Sequence, residues 1–134
     1  MRRDVRWMQQ ESLLSAVERG DFTSVRRTLE AWGAWAASAT DRAGYTAVMR
    51  AALHGRRRVL KLLLRWGADS NAKEPREGRT ALHLMSAARP YPKREELCEY
   101  LITRGADPDA ADKQGRRALH VAAEQGWTGL VKVL

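Results

Sequence analysis

A chain of 134 residues with 44% apolar and 30% charged residues has the composition of one compact domain and is too apolar for a disordered polymer. Its formal charge of +8 suits acidic protein surfaces, nucleic acid or anionic membranes as partners, without choosing among them. The single cysteine, Cys98, excludes an intramolecular disulfide, and no run approaches the ~18 apolar residues of a membrane span. Residues 1–7 lack the apolar core of a secretory signal, and Asp4 and Glu11 interrupt the Arg2, Arg3, Arg6 run that a transit peptide would need. A reducing intracellular location, cytoplasmic or nuclear, is expected.

Residues 1–10 read as an N-terminal extension. The first unit, 11–40, is predicted to hold a helix over 12–19, a turn at Gly20-Asp21 and a second helix over 23–32. Leu13, Leu14 and Val17, then Val25 and Leu29, mark its inner stripes at i, i+3, i+4 spacing. Trp35 makes the turn that follows atypical. The second unit, 41–74, opens on Gly44, suited to positive φ, with Thr46 as helix cap. Ala51-Ala52 allow close packing, Gly55 separates the helices, Val59, Leu60, Leu62, Leu63 and Leu64 form the buried face, and Gly67 closes the unit. The third unit, 75–111, carries four extra residues between its helices, where Pro90 and Pro92 predict an ordered loop displaying Tyr91. The fourth, 112–134, ends inside its second helix, so Leu130, Val131, Val133 and Leu134 are expected to be covered by further chain or by something else.

The units repeat one another. Gly33-Ala34, Gly67-Ala68-Asp69 and Gly105-Ala106-Asp107 close successive helical stretches 34 and 38 residues apart. Asp41-Arg-Ala-Gly-Tyr-Thr-Ala-Val-Met49 returns as Pro75-Arg-Glu-Gly-Arg-Thr-Ala-Leu-His83 and as Asp112-Lys-Gln-Gly-Arg-Arg-Ala-Leu-His120. This register strongly resembles the ankyrin family, departing from its pattern at Ala47, where the family carries proline, and at Met49, where it carries histidine. The resemblance implies an all-α repeat solenoid, helix-turn-helix pairs stacked as a single domain over 1–134 and joined by β-turn or hairpin-like loops. It also implies that His83 and His120 tie adjacent turns together through backbone hydrogen bonds.

No catalytic, metal or cofactor pattern accompanies the repeat. His83 and His120 stand 37 residues apart without zinc-ligand spacing, Cys98 falls in the apolar register, and the glycines sit at turns and not in a phosphate-cradling loop. A non-catalytic scaffold or adaptor is expected. The resemblance places its partner surface on the turn tips and first helices, which here makes a basic concave face of Arg42, Tyr45, Arg50, Lys73, Arg76, Arg79, Lys113 and Arg116. Tyr45, Arg76 and Arg79 lead, because tyrosine and arginine dominate interface energies. Tyr91 is a further contact candidate, and Asn71 matches a position that asparagine hydroxylases modify in some family members. A protein partner with an acidic or mixed-charge segment is the primary expectation. Nucleic acid or another anionic ligand on the same surface is the alternative, and a substrate-receptor role in a larger enzyme complex the lesser one. The Arg56-Arg57-Arg58 run reads as a solvated outer face, and Trp32 and Trp66 as one tryptophan edge.

Overall fold

A computed structural model describes the backbone of residues 2–134 and the side chains from residue 10 onward; Met1 and the Arg2, Arg3 and Arg6 side chains lie outside the described residues. The described chain is all α, with nine helices and an isolated antiparallel bridge between Thr40 and Thr46 in place of strands. It forms two compact units, Met1–Asp69 and Ser70–Leu134.

In the first unit, helix α1 spans Arg2–Arg19, so the expected extension is continuous with the first helix. No glycine or proline occurs between Arg2 and Arg19 to stop it, and Gly20 at φ 72° ends it. Helix α2, Phe22–Trp32, starts on Asp21, whose carboxylate accepts the Ser24 N–H at 3.2 Å and the Ser24 hydroxyl at 2.7 Å. These bonds, the hydroxyl bond foremost, hold the Asp21 carboxyl below its ordinary pKa. A single helical turn follows, α3 (Ala34–Ala37), which buries Ala36 and Ala37 and brings the Trp35 ring to 5.7 Å from Trp32. Trp35 thus replaces the open loop found after the later helix pairs, and Trp32 finds its ring partner there.

Helix α4, Ala47–His54, is capped by Thr46, whose hydroxyl accepts the Met49 N–H at 3.1 Å, and stops at left-handed Gly55. Helix α5, Arg57–Arg65, returns against it. α1 packs on α2 and α4, and α2 on α5. Between them Leu13, Leu14, Val17, Val25, Leu29, Leu60 and Leu63 are buried, while Ala51 and Ala52 keep the helices close. The apolar stripes expected of this unit are those the fold buries.

The second unit contains α6 (Ala81–Ala87), α7 (Arg94–Thr103), α8 (Ala118–Gln125) and α9 (Thr128–Val133). α6 packs on α7 and α8, and α9 on α7 and α8, around buried Leu82, Met85, Leu97, Leu101 and Leu130. Val131, Val133 and Leu134 remain partly exposed. The insertion between α6 and α7 is an ordered loop, as expected, but it does not display Tyr91. The ring is half-buried, and burial raises the phenol's pKa. The reason lies in the next turn, where Lys93 takes a left-handed conformation and Arg94 folds inward. Arg94 is 3% exposed, donates to the Ala88 carbonyl at 3.2 Å and lies 4.9 Å from the Trp127 ring centroid, tying the loop to the start of α9.

Candidate interaction surface

Each turn before a first helix is organised by one carboxylate. Asp41 accepts the N–H groups of Ala43 and Tyr45, both at 2.9 Å, while its own N–H reaches the Tyr45 carbonyl at 3.0 Å. Asp112 repeats this with Gln114 and Arg116, again at 2.9 Å. The glycine in each loop, Gly44 at φ 85° and Gly115 at φ 76°, gives the reversal that the ring of bonds requires.

In the third repeat the anchor is Glu74, not a residue aligned with Asp41 at position 75. Its carboxylate accepts the N–H groups of Arg76 (2.9 Å), Glu77 (2.9 Å) and Arg79 (3.0 Å). The closing backbone bond runs from the Glu74 N–H to the Arg79 carbonyl, five positions on, where the other two turns close four positions on. Pro75 is therefore one extra residue within the loop, and the longer glutamate side chain spans it. Aligning Pro75 with Asp41 and Asp112 matched the glycines and overlooked the carboxylate. Glu74 is 1% exposed. Burial alone would raise its pKa, but the three backbone donors and Arg79 outweigh it and hold the carboxyl below its ordinary range. Asp112 has the same balance, with burial opposed by the Arg116 and Gln114 N–H groups.

Of the two histidine ties that the resemblance implied, the one at His83 joins successive turns of the second unit. His83 Nδ1 accepts the Thr80 N–H at 3.1 Å, which fixes the proton on Nε2, and Nε2 donates to the Arg116 carbonyl at 2.7 Å. His120 caps its own helix through the Arg117 N–H at 3.0 Å but is exposed. Asn71 donates to the Gly105 carbonyl at 2.8 Å and accepts the Asp107 N–H at 2.7 Å, so its amide is already committed to the following repeat.

The candidate contact residues fall into two groups. Arg50 is ion-paired with both Glu18 and Asp41 and half-buried. Arg79 lies 3.2 Å from Glu77 and 3.6 Å from Glu74, Arg116 pairs with Glu124, Lys73 Nζ donates to the Ala111 carbonyl at 2.8 Å, and Lys113 Nζ donates to that of Pro75. These five side chains hold the turns in place. Arg42 and Arg76 are exposed at the tips and Tyr45 is half-buried. Sequence reasoning missed the counter-ions Glu18, Glu74 and Glu124. Only Glu74 left a signal, as an acid immediately before the inserted proline.

Beside this surface, His54 is exposed, and partial burial with Arg56 and Arg50 nearby lowers its pKa. Cys98 is 1% exposed, and burial, reinforced by Glu95 and Glu99, pushes its thiol up to about 12, which suits packing and not nucleophilic attack.

The family model described as "Ankyrin repeats (many copies)" matches residues 13–64 and 84–134. The chicken (Gallus gallus) nuclear factor NF-kappa-B p105 subunit is 43% identical over 76 residues, which is 56% of this chain and 7% of that protein. The zebrafish (Danio rerio) ankyrin repeat and SAM domain-containing protein 6 is 37% identical over 78 residues, 58% of this chain and 10% of its own. The chain therefore spans only a small part of both of these relatives. Mouse (Mus musculus) protein phosphatase 1 regulatory subunit 27 is 32% identical over 113 residues, covering 84% of this chain and 70% of that protein. With its carboxylate-anchored turns, histidine tie and paired helices, the chain belongs to the ankyrin-repeat family, whose repeats act as protein–protein interaction modules.

Proposed function

We propose that the chain is a non-catalytic intracellular adaptor that holds an acidic or mixed-charge segment of a partner protein on its turn tips and first helices. The observation that carries this reading is the division of labour at the turns. Asp41, Glu74 and Asp112 fix each loop from within, leaving Arg42 and Arg76 exposed on preorganised backbone, with Tyr45 closing the Asp41 turn. Such preorganisation lowers the ordering cost of binding, and arginine with tyrosine is the residue chemistry that anchors interfaces. The mouse relative, matched over most of its length, is by name a regulatory subunit of a phosphatase. That supports a second, narrower reading in which this chain is a substrate-receiving or regulatory part of a larger enzyme complex.

The test is affinity purification from the native lysate, with and without nuclease, comparing the wild type with an Arg42→Glu, Tyr45→Ala, Arg76→Glu variant of unchanged circular dichroism. A nuclease-resistant protein partner lost in the variant is the expected result. Recovery that nuclease abolishes would move the reading to nucleic acid.

A further inference from the structure

The first unit carries a second charged surface that shares no residue with the tips. Two hollows of about 230 Å³ each lie along α5, and Arg58 lines both. The floor of one is Phe22 of α2 and Leu62 of α5, rimmed by Arg58, Lys61 and Arg65. The other opens over Gly20 and Val59, walled by Arg19, Arg56 and Arg57. Among the described residues lining them there are six cations and no carboxylate, although Asp21 stands 3.7 Å from Arg19 and offsets part of that charge.

The arrangement is built, not incidental. Arg56 is fixed by donating from Nε to the Glu18 carbonyl at 2.7 Å, and the absent side chain of Gly20 leaves room for it, since a Cβ there would stand 3.0 Å from Arg56 Cδ. Arg58 is held over the Phe22 ring, 4.4 Å from its centroid. Arg58, Lys61 and Arg65 follow one another at i, i+3 and i+7, a stripe about 10 Å long at the rise of an α-helix. That is the span of roughly three residues of extended peptide. Like charges at these spacings repel, and an anion laid along the stripe relieves the repulsion.

We propose that this groove docks an acidic linear segment of a partner protein, an aliphatic side chain packing over Leu62 beside the Arg58-covered Phe22 ring and flanking carboxylates lying on Arg58 and Arg65. Single-stranded nucleic acid fits less well, because it binds by stacking bases on open aromatic faces and Arg58 covers the Phe22 ring. A lipid surface needs apolar side chains that project outward, whereas Leu62 is 9% exposed and lies at the bottom of its hollow.

The probe is a fluorescein-labelled acidic hexapeptide of aspartate and glutamate with one central leucine, titrated against the full chain at low and raised salt. Oligo-dT and phosphatidylserine vesicles serve as competitors. Expected are binding that weakens with salt, a loss of about tenfold in an Arg58→Glu, Arg65→Glu variant, a loss of about threefold when the peptide's leucine becomes serine, and a smaller loss in an Arg42→Glu, Arg76→Glu variant than in the groove variant. No peptide binding by the wild type, retained binding in the groove variant, loss confined to the tip variant, or displacement by oligo-dT or vesicles at lower concentration than by unlabelled peptide would each overturn the proposal. Should the double variant lose its helical circular dichroism, Arg65→Gln, a milder change at an exposed position, gives the same reading. Because tip and groove variants are scored separately, failure of this groove leaves the tip-surface reading standing, and the reverse also holds.

Discussion

The turn at Asp41–Thr46 in the first unit and those at Glu74–Thr80 and Asp112–Arg117 in the second perform one task by different means. In the first unit the turn is braced sideways by charge, since Arg50 pairs with Asp41 and with Glu18 of α1. In the second the ion pairs of Arg79 and Arg116 are joined by directed hydrogen bonds to backbone, from His83, Asn71, Lys73 and Lys113. Met49 stands where the second unit has His83, and its sulfur lies 3.4 Å from the Thr46 nitrogen, a weak substitute for an imidazole acceptor. Half-exposed ion pairs are screened and weak, whereas the buried Glu74 carboxylate of the second unit, which accepts three backbone N–H groups, is costly to lose. The second unit should therefore respond more sharply to single polar substitutions and to acid, and the first to salt.

The largest effect is expected at Glu74. Glu74→Ala orphans three backbone donors and strips Arg79 of a counter-charge, and should cost about 3 kcal/mol in urea denaturation of the chain. Asp41→Ala, at a more solvated turn, should cost about half as much; equal losses would break the comparison. Next comes His83→Ala, which removes both a helix cap and the tie to Arg116 and should cost about 2 kcal/mol, while His120→Ala at its exposed position should cost about 0.5 kcal/mol.

Acid sharpens the contrast further. The Glu74 and Asp112 carboxyls titrate below their ordinary values of 4.5 and 3.8, so the folded state favours their charged forms. That stability is fully present above the ordinary values and is lost as pH falls through the depressed ones, as in acid unfolding generally. Glu74→Gln should flatten the decline in melting temperature below about pH 5, and an unchanged acid profile would remove Glu74 from the account. The smallest effect tests the register itself. Deleting Pro75 while changing Glu74 to Asp restores the five-residue turn of Asp41 and Asp112, and should alter stability by less than about 1 kcal/mol. A loss of several times that would mean that Pro75 is no insertion.

Much of the fold was legible because repeats state each element more than once. Gly44, Thr46, Gly55 and the leucines of α5 occupy the roles their spacing predicts. Cys98 is buried as its apolar register indicated. The misreadings share a cause. Glycine spacing aligns Pro75 with Asp41 and Asp112, but carboxylate reach sets the turn, and one methylene of glutamate absorbs one residue of loop. Tyr91 was expected on display because prolines flank it, but the inward turn of Arg94 toward Trp127 depends on a helix 33 residues later, which no local pattern reveals. Arg50 and Arg79 are paired and not free surface cations because Glu18 and Glu74, which lie outside the repeated positions, reach them.

The lone thiol has a practical consequence. Cys98 is sealed inside α7 and deprotonates only near 12, so an alkylating reagent at neutral pH can reach a reactive sulfur only when the helix opens. Its labelling rate is a built-in clock for breathing of the second unit. It can be read by mass spectrometry without adding a probe, and a partner that clamps this unit would slow it.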